Sequence, residues 1–142
     1  MNKLEIDVMS RAEMDRRLRA GEIPGGSAII SISTPEVSYR PLPFHLCDKC
    51  VVLEEQFDDV DTKRNDLIPM SAEDAARVVN FVNANKGKPI FVHCDAGQSR
   101  SAGVAAAISK FMSGEDDRFF RGIYTPNMNC YSKVLSAFYD TL

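Results

Sequence analysis

The sequence predicts an α/β domain built on a largely parallel sheet of about four to five strands flanked by helices. Three observations support this. Strand-like and helix-like stretches alternate along the chain. The strand candidates are short apolar runs rich in β-branched residues, the kind that a parallel sheet buries on both faces. One of them, "KPIFVHC", runs straight into a Gly-containing turn and then into a helix of small residues, so a loop sits where a strand hands over to a helix N-terminus. The 142 residues match the size of one ordinary domain, and residues 1–142 are read as a single unit.

Taken in order, "LEIDVM" alternates like a strand, and "SRAEMDRRLRAG" follows as a helix. Ser10 and Glu13 have the spacing of a capping box, and Gly21 suits the helix end. "SAIISIS", "CVVLEEQF" and "KPIFVHC" are further strands, at about 28–33, 50–57 and 89–93. The Pro-rich stretch "STPEVSYRPLPFH" reads as one long surface loop. "SAEDAARVVNFVNANKG" opens on a capping Ser71, carries apolar residues at helical spacing and closes on Gly87. "SRSAGVAAAISKFMSG" is a central helix of small residues. "TPNMNCYSKVLSAFYDTL" is the last helix, with Thr125 as N-cap and Pro126 in the first turn. The order of the strands in the sheet is not encoded in these patterns.

Composition narrows the function. A formal charge of -3, with Lys and Arg spread along the chain, argues against a protein that grips nucleic acid through its phosphates. No apolar run approaches the ~20 residues of a membrane span, and "MNKLEIDVMSRAEMD" lacks the apolar core of a secretory signal. No membrane association is expected, and a cytoplasmic setting follows. Cys47, Cys50, Cys94 and Cys130 are too scattered to frame a disulfide-built fold, so reduced thiols are expected. His45, Cys47 and Cys50 cluster, with Cys130 distant, but the second paired half of a structural zinc motif is missing and no metal is expected. A thioredoxin-like role fits poorly, because the Cys-x-x-Cys precedes a strand and does not open a helix.

The chemistry concentrates in "HCDAGQSRS", His93 to Ser101. Cys-x5-Arg arises readily by chance; with His directly before the Cys, Gly at its third following position and Ser after the Arg, it becomes specific. A phosphate held here would meet the N–H groups of Asp95, Ala96, Gly97, Gln98, Ser99 and Arg100, provided the loop curls around it. Gly97 permits the curl. Arg100 offers a planar fork that holds two phosphate oxygens at once, a geometry that improves as the transferring group flattens. The same dipoles and guanidinium favour a thiolate at Cys94, a nucleophile for two-step covalent catalysis that needs no cofactor.

The segment resembles the signature of the cysteine-dependent protein tyrosine phosphatase superfamily, and the short chain is similar to its dual-specificity branch. An acidic stretch upstream, "FDDVD", and the "PN" of Pro126 and Asn127 extend the resemblance over most of the chain. It implies a phosphatase-like fold and a phosphorylated protein or peptide as substrate, with phosphotyrosine first and phosphoserine or phosphothreonine beside it. By resemblance, Ser101 stabilises the departing sulfur, His93 braces the loop and Asn127 supports it. An aspartate on the loop after a strand would protonate the leaving group, which leaves Asp58, Asp59 and Asp61. Asp59 is favoured, because Phe57 points inward by strand alternation and the second residue along reaches the catalytic edge. The spacing from there to Cys94 is a few residues longer than the branch pattern, so the choice among neighbours stays open. Two other readings are carried: a phosphatase of RNA 5′-ends or phosphoinositides, against which Asp95 and Gln98 weigh because relatives acting on polyanions are basic around this loop, and a non-catalytic phosphopeptide-binding module.

Overall fold

The computed structural model describes residues 3–142. Four parallel strands form one sheet: β1 (Ile6–Ser10), β2 (Ala28–Ser33), β3 (Val51–Gln56) and β4 (Ile90–Cys94), in the order β1-β4-β2-β3. The central pair, β2 and β4, is buried almost throughout, which is why those segments read as unbroken apolar runs. Four helices flank the sheet: α1 (Arg11–Ala20), α2 (Ala72–Ala84), α3 (Arg100–Ser113) and α4 (Met128–Tyr139).

The larger core packs Ile30, Ile32 and Val92 against Val78 and Val82 of α2, Val104 and Ile108 of α3, and Val134 and Phe138 of α4. A smaller one on the opposite face joins Ile29, Phe91 and Met9 to Met14 and Leu18 of α1. Helix α3 is buried over its whole first half, so small residues are required there: Ala and Gly let the helix lie close to the sheet and to α4.

Some local expectations are corrected. The Ser10 hydroxyl accepts the Glu13 N–H at 3.1 Å, but the Glu13 carboxylate is drawn to Arg16 and Arg17 at 2.7 and 2.8 Å and does not close the box. A complete box forms on α2, between Ser71 and Asp74. That helix ends at Ala84, capped by Asn85, with Gly87 in the following turn at φ 88°. Helix α4 begins after Asn127, not at Thr125, because the Asn127 side chain accepts the Cys130 N–H at 3.0 Å while Thr125 is held outside by the Gln98 carbonyl. Cys47 and Cys50, read as free thiols, are joined as a disulfide with Cα atoms 5.6 Å apart. A turn from Cys47 to Cys50, closed by the Cys50 N–H donating to the Cys47 carbonyl at 3.4 Å, brings the pair together.

Candidate active site

Strands β1 and β4 end flush, Ser10 opposite Cys94, and the loop after Cys94 folds back over that edge. Gly97 has φ 72°, and a Cβ there would run into the backbone of Met9 and Ser10, so no side chain fits. The curl turns the loop carbonyls to the surrounding protein. That of Asp95 accepts from the Arg11 N–H, that of Gln98 from Thr125, and that of Ser99 from Asn127 and Gly103, at 2.8–3.3 Å. The N–H groups of Asp95, Ala96, Gln98 and Ser99 meet no protein acceptor among the described residues. Bonded carbonyls outside and free N–H groups within make an anion-binding concavity. At its base lies Cys94, 2% exposed, with Sγ 3.3 Å from the Gly97 nitrogen and 3.0 Å from the Ser101 Oγ.

Arg100 opens α3 and is only 5% exposed. Its Nη1 donates to the Phe57 carbonyl at 2.8 Å, and its Nη2 pairs with the Asp95 carboxylate at 3.2 Å. Its Nε is buried without a partner. A buried donor left unmatched costs on the order of 1–3 kcal/mol, a cost that an anion in the concavity would remove.

The three candidate aspartates separate cleanly. Asp59 Oδ1 accepts from the Ser99 hydroxyl at 2.7 Å and from the Asn127 amide at 3.0 Å, which docks it on the phosphate loop. Asp58 turns inward and accepts the Ile68 N–H at 2.8 Å, closing the neck of its own loop. Asp61 lies on the surface and pairs with Arg64 at 3.1 Å. Only Asp59 is brought to the site.

Comparison of the sequence with models of protein families and with curated proteins finds no match. Solved structures do match. DUSP15 superposes with a TM-score of 0.64 at 19% identity, over 99% of this chain and 87% of that one. The Yvh1 phosphatase domain from Chaetomium thermophilum gives 0.59 at 17%, over 98% and 92%. PTPMT1, solved in complex with PI(5)P, gives 0.55 at 15%, over 96% and 91%. The fold is that of the dual-specificity phosphatases.

Within this phosphatase fold the supporting residues take definite places. His93 is fully buried on β4, its Nε2 2.6 Å from the Ser31 hydroxyl of β2 and its Nδ1 3.4 Å from the Cys94 carbonyl. Burial lowers its pKa to about 4, so the ring is neutral at physiological pH and its contacts are hydrogen bonds, not ion pairs. Asn127 bonds to both loops. Its backbone N–H holds the Ser99 carbonyl, and its side-chain amide donates to both Asp59 and the Val60 carbonyl, tying the two loops together. Burial pushes the Cys130 thiol well up, which marks it as a packing residue.

Several participants were invisible in the sequence. Gly103 lets α3 and α4 touch, since a Cβ there would strike the Asn127 carbonyl. An isolated Gly inside a helical pattern was the available signal. Thr34 and Tyr39, in what read as a plain surface loop, donate their hydroxyls to the Asp95 carboxylate at 2.8 Å each, and no local signal marks them. Burial opposes the charge on Asp95, but these two hydroxyls and Arg100 outweigh it and lower its pKa.

Proposed function

We propose that this chain is a cysteine-dependent phosphoester hydrolase whose substrates are phosphorylated proteins, phosphotyrosine first and phosphoserine or phosphothreonine beside it. One observation carries the reading: a buried cysteine sulfur, an unpartnered buried guanidinium N–H and a docked carboxyl converge on one concave loop of free amides.

In the first step the Cys94 thiolate attacks phosphorus in line, the S–P bond forms, and the P–O bond to the leaving group breaks as the Asp59 carboxyl supplies its proton. The loop amides and Arg100 hold the three equatorial oxygens, where charge accumulates. In the second step Asp59, now a carboxylate, takes a proton from water as the water oxygen attacks the phosphocysteine. The sulfur leaves as a thiolate, steadied by the Ser101 hydroxyl 3.0 Å away. Asp95 and Gln98 supply no positive charge at the rim, which favours a singly phosphorylated side chain over a polyanion.

Rapid acid quench during turnover of an aryl phosphate in the presence of a chelator tests the mechanism. The phosphoryl group is expected on the peptide carrying Cys94, and neither phosphoenzyme nor turnover is expected from Cys94→Ser. A wild type that binds phosphate and never turns over would make the chain a binding module. Competition among phosphotyrosine peptides, a phosphoinositide and a 5′-triphosphate RNA ranks the substrates, with the peptide expected to win.

A further inference from the structure

The guanidinium of Arg100 has three nitrogens: Nη1 is fixed by a backbone carbonyl, Nη2 by Asp95, and Nε is unpartnered. The Phe57 carbonyl anchors one nitrogen by a hydrogen bond and the Asp95 carboxylate draws a second by charge, so the position of Asp95 biases where the remaining N–H groups point. Asp95 itself is on the partly exposed outer side of the loop, where a carboxylate held only by Arg100 would be free to swing. The segment between β2 and the 3-10 turn Phe44–Leu46 holds it by three contacts. The Thr34 Oγ1 donates to Oδ2 at 2.8 Å, and the Tyr39 hydroxyl lies 2.8 and 2.9 Å from the two carboxylate oxygens. The Tyr39 oxygen in turn accepts the Thr34 N–H at 2.9 Å. Arg11 covers the Tyr39 ring with its guanidinium 4.2 Å from the centroid and donates to the Arg40 carbonyl at 2.8 Å, fixing the segment over the site.

We propose that Tyr39 and Thr34 are positioning residues for phosphate recognition: they orient Asp95, which sets the Arg100 fork, so a loop remote in sequence controls the affinity for the phosphoryl group. The inference rests on the phosphatase reading given above and adds to it a second layer of residues that never touch substrate.

The test is a double-mutant cycle read by affinity for inorganic phosphate, in parallel with aryl phosphate turnover and a thermal melt. Tyr39→Phe keeps the ring under Arg11 and removes only the hydroxyl. It is expected to weaken phosphate binding by about tenfold and to raise KM with it, while the melt stays cooperative and shifts only by the lost acceptor of the Thr34 N–H. Thr34→Val is the independent second arm and is expected to act in the same direction. In the Asp95→Asn background the Tyr39→Phe change is expected to fall below about twofold, because the group it orients has lost its charge. A general packing role would instead give the same loss in both backgrounds. Wild-type phosphate affinity in Tyr39→Phe, or an additive cycle in an enzyme that turns over normally, overturns the proposal and leaves the phosphatase reading intact. A wild type that neither binds phosphate nor turns over overturns both.

Discussion

Two loops meet at the site and are built in opposite ways. The Cys94–Arg100 loop is tied from every side: to the start of α1 through Asp95, to the N-cap of α4 through Ser99, to the segment before α4 through Gln98, and to the end of β3 through Arg100. The loop that follows β3 and carries Asp59, the proposed acid, is mostly exposed from Asp59 to Ile68 and is held only near its root, by Asp58 on Ile68 and by Ser99 and Asn127 on Asp59 and Val60. The difference teaches which group must be fixed in advance. Electrostatic stabilisation works by donors that need not reorganise as charge develops, whereas a proton donor must approach after substrate binds and withdraw when product leaves.

The largest expected effect breaks the rigid side of that contrast. Arg100→Lys keeps the charge and loses the fork, its bond to the Phe57 carbonyl and its pairing geometry with Asp95. Turnover of an aryl phosphate is expected to fall ~10³-fold or more. Retention of activity within tenfold would show that charge alone suffices and that the preorganised geometry has been overvalued.

The exposed side is sharpened by treating the three aspartates separately. Asp59→Asn is expected to lower turnover of phenyl phosphate by ~10²-fold, and less with a nitrophenyl leaving group that departs without a proton. Asp58→Asn leaves a neutral amide oxygen in place of the carboxylate that accepts the Ile68 N–H, so its effect is expected on stability, about 1 kcal/mol by chemical denaturation. Asp61→Asn, on the surface beside Arg64, is expected to leave both within error. If Asp58→Asn proved the most damaging to turnover, the docking of Asp59 on Ser99 would be incidental to catalysis.

How much of this could be read from the chain follows the same contrast. The Cys94–Arg100 loop was legible because much of it is local: Gly97 takes φ 72°, which glycine adopts freely, and Cys94, Arg100 and Ser101 belong to one short stretch of sequence. The alternation of elements likewise reported the sheet, since strands buried on both faces must be apolar throughout. What stayed hidden depends on long-range contacts. The order β1-β4-β2-β3 places sequence-distant strands side by side, and Ser31 meets His93 only because β2 and β4 are neighbours. Tyr39 and Thr34 lie some sixty residues before Asp95, with nothing in their own neighbourhood to mark them. The cap at Asn127 was misplaced for a similar reason: Thr125 and Pro126 make a sound local helix start, and only the pull of Gln98 on Thr125 moves the start onward.

The smallest effect concerns the strand from which the acid loop springs. Glu55 on β3 is 2% exposed, its Oε2 pairs with Arg77 at 3.2 Å and its Oε1 has no partner. Burial first, and then the Asp74 carboxylate, raise its pKa to about 7 against the pull of Arg77. An unfolded glutamate titrates near ~4.3, so between these values the folded chain holds a proton that the unfolded chain has lost. Stability from this group is therefore full in acid and lost as pH rises through about 7. His93 acts in the opposite sense: its folded pKa of about 4 lies below the ordinary 6.5, so its contribution grows with pH across that interval and masks Glu55 there. Above it the His93 contribution fades over about one further pH unit. Between pH 6.5 and 8 the wild type is thus expected to lose stability relative to Glu55→Gln, which shares the His93 contribution, by an amount on the order of 1 kcal/mol in denaturant unfolding. The same slope in the variant would place the titrating group elsewhere. Because Glu55 stands two residues before the Phe57 carbonyl that fixes Arg100, turnover measured over the same range reports whether loosening the root of the acid loop reaches the rigid loop as well.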